Sequence, residues 1–190
     1  KFSRAFSCLL RIQAGGKEIQ DTGVLRDEYT ASAARQKRSV KTRLETSWKP
    51  NKHVRIRARI AGVTLFFPAQ QGEVVFAEKS EQGVLSFCDF RWKKPRFTLY
   101  TRAAVYCSDS WESRLYMFEN SLPGVFAIRP LYNKGVVAYC LLKCDLTEKM
   151  ELSVKLWNDY RPGRQVISSG YEERRGPHDT RISLQADFEF

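Results

Sequence analysis

The sequence predicts an all-β chain: an antiparallel β-sandwich of jelly-roll-like kind, with a basic N-terminal arm that is helical or extended. Three observations predict it. Apolar and alternating runs recur at short, regular spacing along most of the 190 residues, as they do in sandwiches and barrels. Turn chemistry separates them, in "QAGGKE", "PAQQG", "SEQG", "CSDS", "NSLPG", "PLYNKG" and "YRPGR". Hydrophobic residues make up 43% and aromatics 13% of the chain, enough for one core. The organisation is a strand plus arm over 1–52 and the sandwich over 53–190, with no internal repeat.

The first strand is 4–13, "RAFSCLLRIQ". Residues 24–46 then lack Gly and Pro, and Tyr29, Ala33, Val40, Leu44 and Trp48 fall near helical spacing with basic residues between. They predict a basic amphipathic helix, with an unstructured basic arm as the alternative. Next comes "HVRIRARI", 53–60, where Val54, Ile56, Ala58 and Ile60 alternate with His53, Arg55, Arg57 and Arg59. A strand sends alternate side chains to opposite faces, so this segment has an apolar face and an arginine face, and it continues to 67. Further strands are predicted over 72–78, 83–90, 96–107, 111–119, 124–129, 135–144, 149–157 and 181–190. Residues 161–180, rich in Gly, Pro, Ser and charge, predict a long surface loop.

The net charge is +11, and two segments account for all of the excess. The first holds Arg35, Lys37, Arg38, Lys41, Arg43, Lys49, Lys52, Arg55, Arg57 and Arg59 against one acid, Glu45. The second, "FRWKKPRFTLYTR", interleaves Arg91, Lys93, Lys94, Arg96 and Arg102 with Phe90, Trp92, Phe97 and Tyr100. Cations suit backbone phosphates and flat aromatic faces suit unpaired bases. The ten cations of the first segment, with Arg91, Trp92, Lys93, Lys94, Arg96 and Arg102 of the second, are therefore the candidate nucleic-acid site. The partner implied is RNA or single-stranded DNA, held by phosphate contacts with little sequence discrimination. Arg55, Arg57 and Arg59 act on it together. Glu73 and Glu78 could pair some of these arginines but cannot neutralise the set.

Catalysis finds no support. The two histidines, His53 and His178, stand in a strand and a "RRGPHD" loop. There is no nucleophile-elbow serine, no phosphate loop and no pair of CxxC motifs, so neither cofactor nor metal is expected. "KGVVAYCL", 134–141, begins like an RNA-recognition strand but puts Val136, Ala138 and Cys140 where stacking aromatics are needed. The five cysteines are odd in number, which suits a reducing compartment. Cys140 and Cys144 share a strand face and read as buried core thiols. No run has the length of an apolar membrane helix, so no membrane span is expected. The opening "KFSRAFSCLLRI" is broken by Arg4 and Arg11, unlike a secretion signal. The absence of a starting Met suits a trimmed chain or a subunit cut from a precursor.

A basic N-terminal segment ahead of one antiparallel sandwich resembles the coat proteins of small icosahedral viruses. Residues 135–163, "GVVAYCLLKCDLTEKMELSVKLWNDYRPG", are similar to two late strands of picorna-like jelly rolls. The resemblance implies a structural capsid subunit that self-assembles around its genome, a large homo-oligomer found in the virion. The alternative is a non-capsid RNA-binding β protein, such as a viral movement protein or an organellar RNA-binding or ribosome-associated subunit. A third reading is a β-sandwich that meets an anionic membrane surface.

Overall fold

Each long strand of the chain hydrogen-bonds to the long strand that follows it. The computed structural model describes residues 5–25, 30–67, 70–71, 74–75, 79–163, 166–167 and 174–188. Eight long strands make one antiparallel sheet: β1 (Phe6–Leu25), β2 (Thr30–Trp48), β3 (Val54–Phe67), β6 (Lys79–Lys94), β7 (Phe97–Ser108), β10 (Lys134–Thr147), β11 (Met150–Tyr160) and β14 (His178–Phe188). Short pairs interrupt the sequence. These are β4 (Gln70–Gln71) with β5 (Val74–Val75), β8 (Leu115–Glu119) with β9 (Ala127–Leu131), and β12 (Val166–Ile167) with β13 (Arg174–Arg175). The β4–β5 pair extends the sheet beyond the far end of β1, through Val24↔Val75 and Leu25↔Val74. The chain is all-β and antiparallel, as its alternation predicts. The sheet order is that of a meander, with each long strand beside its neighbour in sequence.

The helix predicted over 24–46 is not there. Residues 30–46 belong to β2, and 26–29 lie outside the described residues. Val40, Leu44 and Trp48 fit a helical spacing, but Val40, Thr42, Leu44, Thr46 and Trp48 also alternate with Lys41, Arg43, Glu45 and Ser47. Two long neighbours, β1 and β3, supply the ladder that settles the choice. The turn predicted at "QAGGKE" is likewise continuous strand: Gly15 pairs with Ser39 and Gly16 with Arg38.

Register carries the alternation through the whole sheet. One row runs Phe6, Trp48, Ile56, Phe90, Thr101, Cys140, Leu156, Ile182. The adjacent row runs Ser7, Ser47, Arg57, Asp89, Arg102, Tyr139, Trp157, Arg181. The second row belongs to the inner face, against which β8 and β9 pack. Leu65, Leu85, Phe87, Tyr106, Val137, Tyr139 and Trp157 form the core there with Leu115, Met117 and Leu131 of the hairpin. The first row belongs to the outer face, which nothing covers among the described residues.

The two ends of the sheet differ. Residues 49–53, 95–96 and 148–149 make short turns at one end. At the other end 109–133 joins β7 to β10, and in sequence four residues separate β1 from β2, eleven β3 from β6 and seventeen β11 from β14. The 109–133 excursion folds back along the inner face and reaches the short-turn end, where Gln185 Nε2 donates to Pro123 O at 3.2 Å.

Gly83 lets the excursion seat. A Cβ there would lie 2.8 Å from Leu115 Cδ1 and closer still to Ser113 O. Gly83→Ala is expected to lower stability by about 1–3 kcal/mol through overpacking and to loosen 109–119. Equilibrium unfolding together with amide exchange checks this. Unchanged stability would mean that the hairpin does not seat on β6.

Candidate functional site

The arginine face of β3 does not stand free. Arg57 Nε donates to Asp89 Oδ2 at 2.7 Å, and Arg59 Nε donates to Glu45 Oε2 at 2.8 Å. Arg55 Nε donates to Ser47 Oγ at 3.1 Å. Glu45 also pairs with Arg43, and Asp89 with Arg102, whose side chain is 1% exposed. The guanidinium groups of Arg59 and Arg102 lie 4.9 and 4.2 Å from the centroid of the Phe87 ring. Antiparallel register makes this network: Glu45 faces Arg59, Arg57 faces Asp89, and Asp89 faces Arg102. Glu73 and Glu78, the acids nominated from sequence, lie outside the described residues.

The sixteen residues of the predicted nucleic-acid site fall into several places. Arg43, Arg55, Arg57, Arg59 and Arg102 face inward, in the network just described. Arg91 also faces inward, with its guanidinium 5.8 Å from the Tyr100 ring centroid. Lys37 and Lys41 lie further along the inner face of β2, and Lys37 pairs with Glu112 of the excursion. Lys49, Lys52, Lys93, Lys94 and Arg96 gather around the short-turn end. Trp92 stands on the outer face, edge-to-face with Phe97 at 5.0 Å. Arg38 takes an outer-face position, and the side chain of Arg35 is outside the described set.

Several inner-face residues were missed from sequence. Glu119, at the end of β8, is fully buried and accepts from Lys155 Nζ at 3.0 Å and Trp157 Nε1 at 3.2 Å, with Arg129 also 3.0 Å away. Asp159 accepts from Tyr106 and pairs with Arg161. The signal was present: Glu151, Ser153, Lys155, Trp157 and Asp159 alternate with Met150, Leu152, Val154, Leu156 and Asn158. Local sequence does not tell what meets this polar face; the hairpin does, through Glu119.

The outer face is the reverse. From Phe6 to Ala14, Val40 to Trp48, Val54 to Phe66, Ser80 to Trp92, Phe97 to Cys107, Val136 to Cys144, Met150 to Tyr160 and His178 to Phe188 its positions contain no Asp, Glu, Lys or Arg, while Glu18, Arg38, Lys94 and Lys134 take outer positions at or beyond the borders of that band. Many are exposed: Leu10 69%, Ile12 67%, Ile60 55%, Ile182 71% and Leu184 68%. All five cysteines lie on this face, Cys8, Cys88 and Cys107 exposed and Cys140 and Cys144 half-exposed. Cys140 and Cys144 do share a face, but it is not the core expected for them. Aromatic residues collect toward the short-turn end, with Phe6, Trp48, Trp92, Phe97 and Phe188 on the outer face.

No family model matches the chain, and neither does any curated protein or solved structure.

Two outcomes follow from the inner-face charges. Asp89→Ala strands Arg102 without a counter-charge and is expected to cost about 3–5 kcal/mol. Asp89→Ala with Arg102→Leu should recover most of that loss in denaturant unfolding. Failure to recover would deny the pair its central place. The second concerns Glu112, whose carboxyl the hydrogen bond from Lys37 holds below its ordinary value, against the opposing pull of partial burial. A depressed carboxyl stabilises the fold above its unfolded pKa of about 4.3. That contribution is lost as pH falls through the folded value. Amide protection factors in 109–114, corrected for intrinsic exchange, should therefore fall below about pH 4, and a flat profile would remove the Lys37–Glu112 tether.

Proposed function

We propose that this chain forms part of the wall of a transmembrane β-barrel, with its uncharged face on the acyl chains and its charged face on a polar interior. The observation that carries the reading is the inversion of the sheet. Water-soluble domains bury apolar side chains and expose charge. Here eight adjacent strands expose an uncharged central band, bordered by Arg38, Lys94 and Lys134, while Asp89, Arg102, Glu119, Lys155, Asp159 and Asp179 are buried. Membrane barrels alternate in this way, apolar outward and polar inward.

Three dimensions of the sheet support it. On β7 the outward residues 97–107 cover about 34 Å of strand. A tilt of roughly 40° reduces that to about 26 Å, the height of a transmembrane band. Aromatic side chains mark the short-turn edge of the band, as the interfacial girdle does. Short turns at one end, with three of the four links at the other end longer, follow the pattern of outer-membrane-type barrels. The absence of an apolar helix long enough to span a membrane among the described residues does not bear on a crossing made by strands.

The barrel has more than eight strands. An eight-stranded barrel has an interior just wide enough for its own side chains. This inner face carries large ones, among them Arg57, Arg102, Tyr139 and Trp157, and also seats the β8–β9 hairpin. Among the described residues β14 pairs only with β11, and residues 6–23 of β1 pair only with β2. Lipid leaves no backbone group unpaired, so further strands stand on both edges.

The cation surplus favours a second reading, the nucleic-acid-binding coat subunit or RNA-binding β protein. Lys49, Lys52, Lys93, Lys94 and Arg96 at the short-turn end would then meet phosphates, and the outer face would pack copies together. In the barrel reading the same cations meet anionic headgroups beside the aromatic band.

Reconstitution separates the two. Trp48 and Trp92 fluorescence should be quenched by brominated acyl chains when the chain is refolded into vesicles. Ala103→Arg, in the middle of the outer face of β7, should weaken insertion by about 2–4 kcal/mol. A chain that stays out of vesicles and elutes as a large particle with bound nucleic acid would replace the first reading with the second.

A further inference from the structure

A cleft between the inner face and the excursion holds cations that the fold does not neutralise. Its volume is about 470 Å³, within the range of small-molecule sites. Six cations line it: Arg11 and Lys17 of β1, Lys37, Lys41 and Arg43 of β2, and Arg114 of the excursion. One acid, Glu112, shares the lining and is taken by Lys37. Ser39 and Ala61 of the lining bring little bulk to the middle of the group.

Register places like charges directly opposite each other here, Lys17 across from Lys37 and Arg11 across from Arg43, as it also places Arg55 across from Arg91 toward the short-turn end. Such pairs are destabilising on their own. The buried cations of the inner face each meet an acid, Arg102 with Asp89 and Lys155 with Glu119. In the cleft, Arg11, Lys17 and Lys41 are exposed and make no salt bridge among the described residues, and Lys17 shares the field of Glu112 with Lys37 and Arg114. Arg43 reaches Glu45 with Nη2 while its Nε is buried without a hydrogen-bond partner. Arg114 is held in place by Tyr116 Oη at 2.7 Å and Trp111 O at 2.7 Å, its guanidinium 4.5 Å from the Trp111 ring centroid.

We propose that this cleft binds a compact multivalent anion, an oligophosphate group whose oxygens span β1, β2 and the excursion. Phosphate oxygens accept several charge-assisted hydrogen bonds at once, which suits a ring of Lys and Arg better than a single carboxylate does. The inference uses the barrel reading only in opening the cleft to an aqueous interior. The phosphate could belong to a soluble molecule or to a lipid headgroup that reaches the interior.

The test is titration calorimetry of the full chain in a zwitterionic detergent, with inorganic tripolyphosphate as probe. One saturable site is expected, weakening as salt rises. Arg11→Gln with Lys41→Gln should reduce affinity at least about tenfold. The same variant should leave the thermal midpoint without ligand unchanged or raised, because it relieves repulsion; a purely structural role would lower it. Lys93→Gln with Lys94→Gln, at the short-turn end, should bind as the parent does. No saturable heat, or an equal loss in that control, would overturn the site. Micelles doped with a phosphorylated inositol lipid that displace the probe would assign the phosphate to a headgroup, and micelles that do not would assign it to a soluble ligand. Quenching by brominated lipid reads insertion separately, so binding without insertion would keep the cleft and reject the barrel.

Discussion

The structure depends on register. Side chains alternate with a period of two, so a slip of one residue between any two strands would move every side chain to the other face. Here such a slip would bring Arg57, Asp89 and Arg102 to the uncharged surface and Phe90 and Thr101 to the interior. The Asp89 carboxylate guards against it, since it is held by Arg57 from one neighbouring strand and Arg102 from the other. Glu45 does the same between β2 and β3. Isolated buried ion pairs contribute little net stability. Their value here is in specifying which strand positions meet.

The hairpin completes what the sheet cannot do alone. An inner face with this much charge needs partners that water would otherwise supply. Glu119 supplies them to Lys155 and Trp157, and the Phe118 carbonyl accepts from Arg102. Met117 and Leu131 cover the apolar part. Charge satisfaction and core packing thus come from the same ten hairpin residues of β8 and β9. Because the excursion enters from the long-connection end and reaches Gln185 near the other, it lies along the interior rather than capping it.

Much of this was legible in the sequence, but not its sense of direction. The strands over 53–67, 83–90, 96–107, 135–144 and 149–157 follow from alternation, and so does the shared arginine face of β3. Alternation cannot say which face is the inside. An arginine row beside an apolar row is the same pattern in a soluble sandwich and in a sheet with its polarity reversed. The five cysteines carry the same ambiguity: a small apolar side chain suits a core or the outer surface of this sheet equally. The 24–46 segment misled because basic residues at both odd and even positions blurred its period, and long-range pairing with β1 and β3 decided it. The acids that pair β3 could not be chosen from local sequence either. Asp89 is 32 residues from Arg57, brought there only by the sheet.

The surplus of positive charge then divides by place rather than by segment. Along β3, β7 and β11, Arg57, Arg59, Arg102 and Lys155 are matched to Glu45, Asp89 and Glu119, so the sequence excess there overstates what is free. At the short-turn end Lys49, Lys52, Lys93, Lys94 and Arg96 border the aromatic edge of an uncharged face, where long cationic side chains extend their stems over apolar surface and keep their heads in a polar layer. In the cleft, Arg11, Lys17 and Lys41 have neither arrangement. Directly opposed like charges repel, and Arg11, Lys17 and Lys41 are exposed, so an anion can reach them. The register that neutralises one half of the inner face leaves the other half as the place where an anion fits.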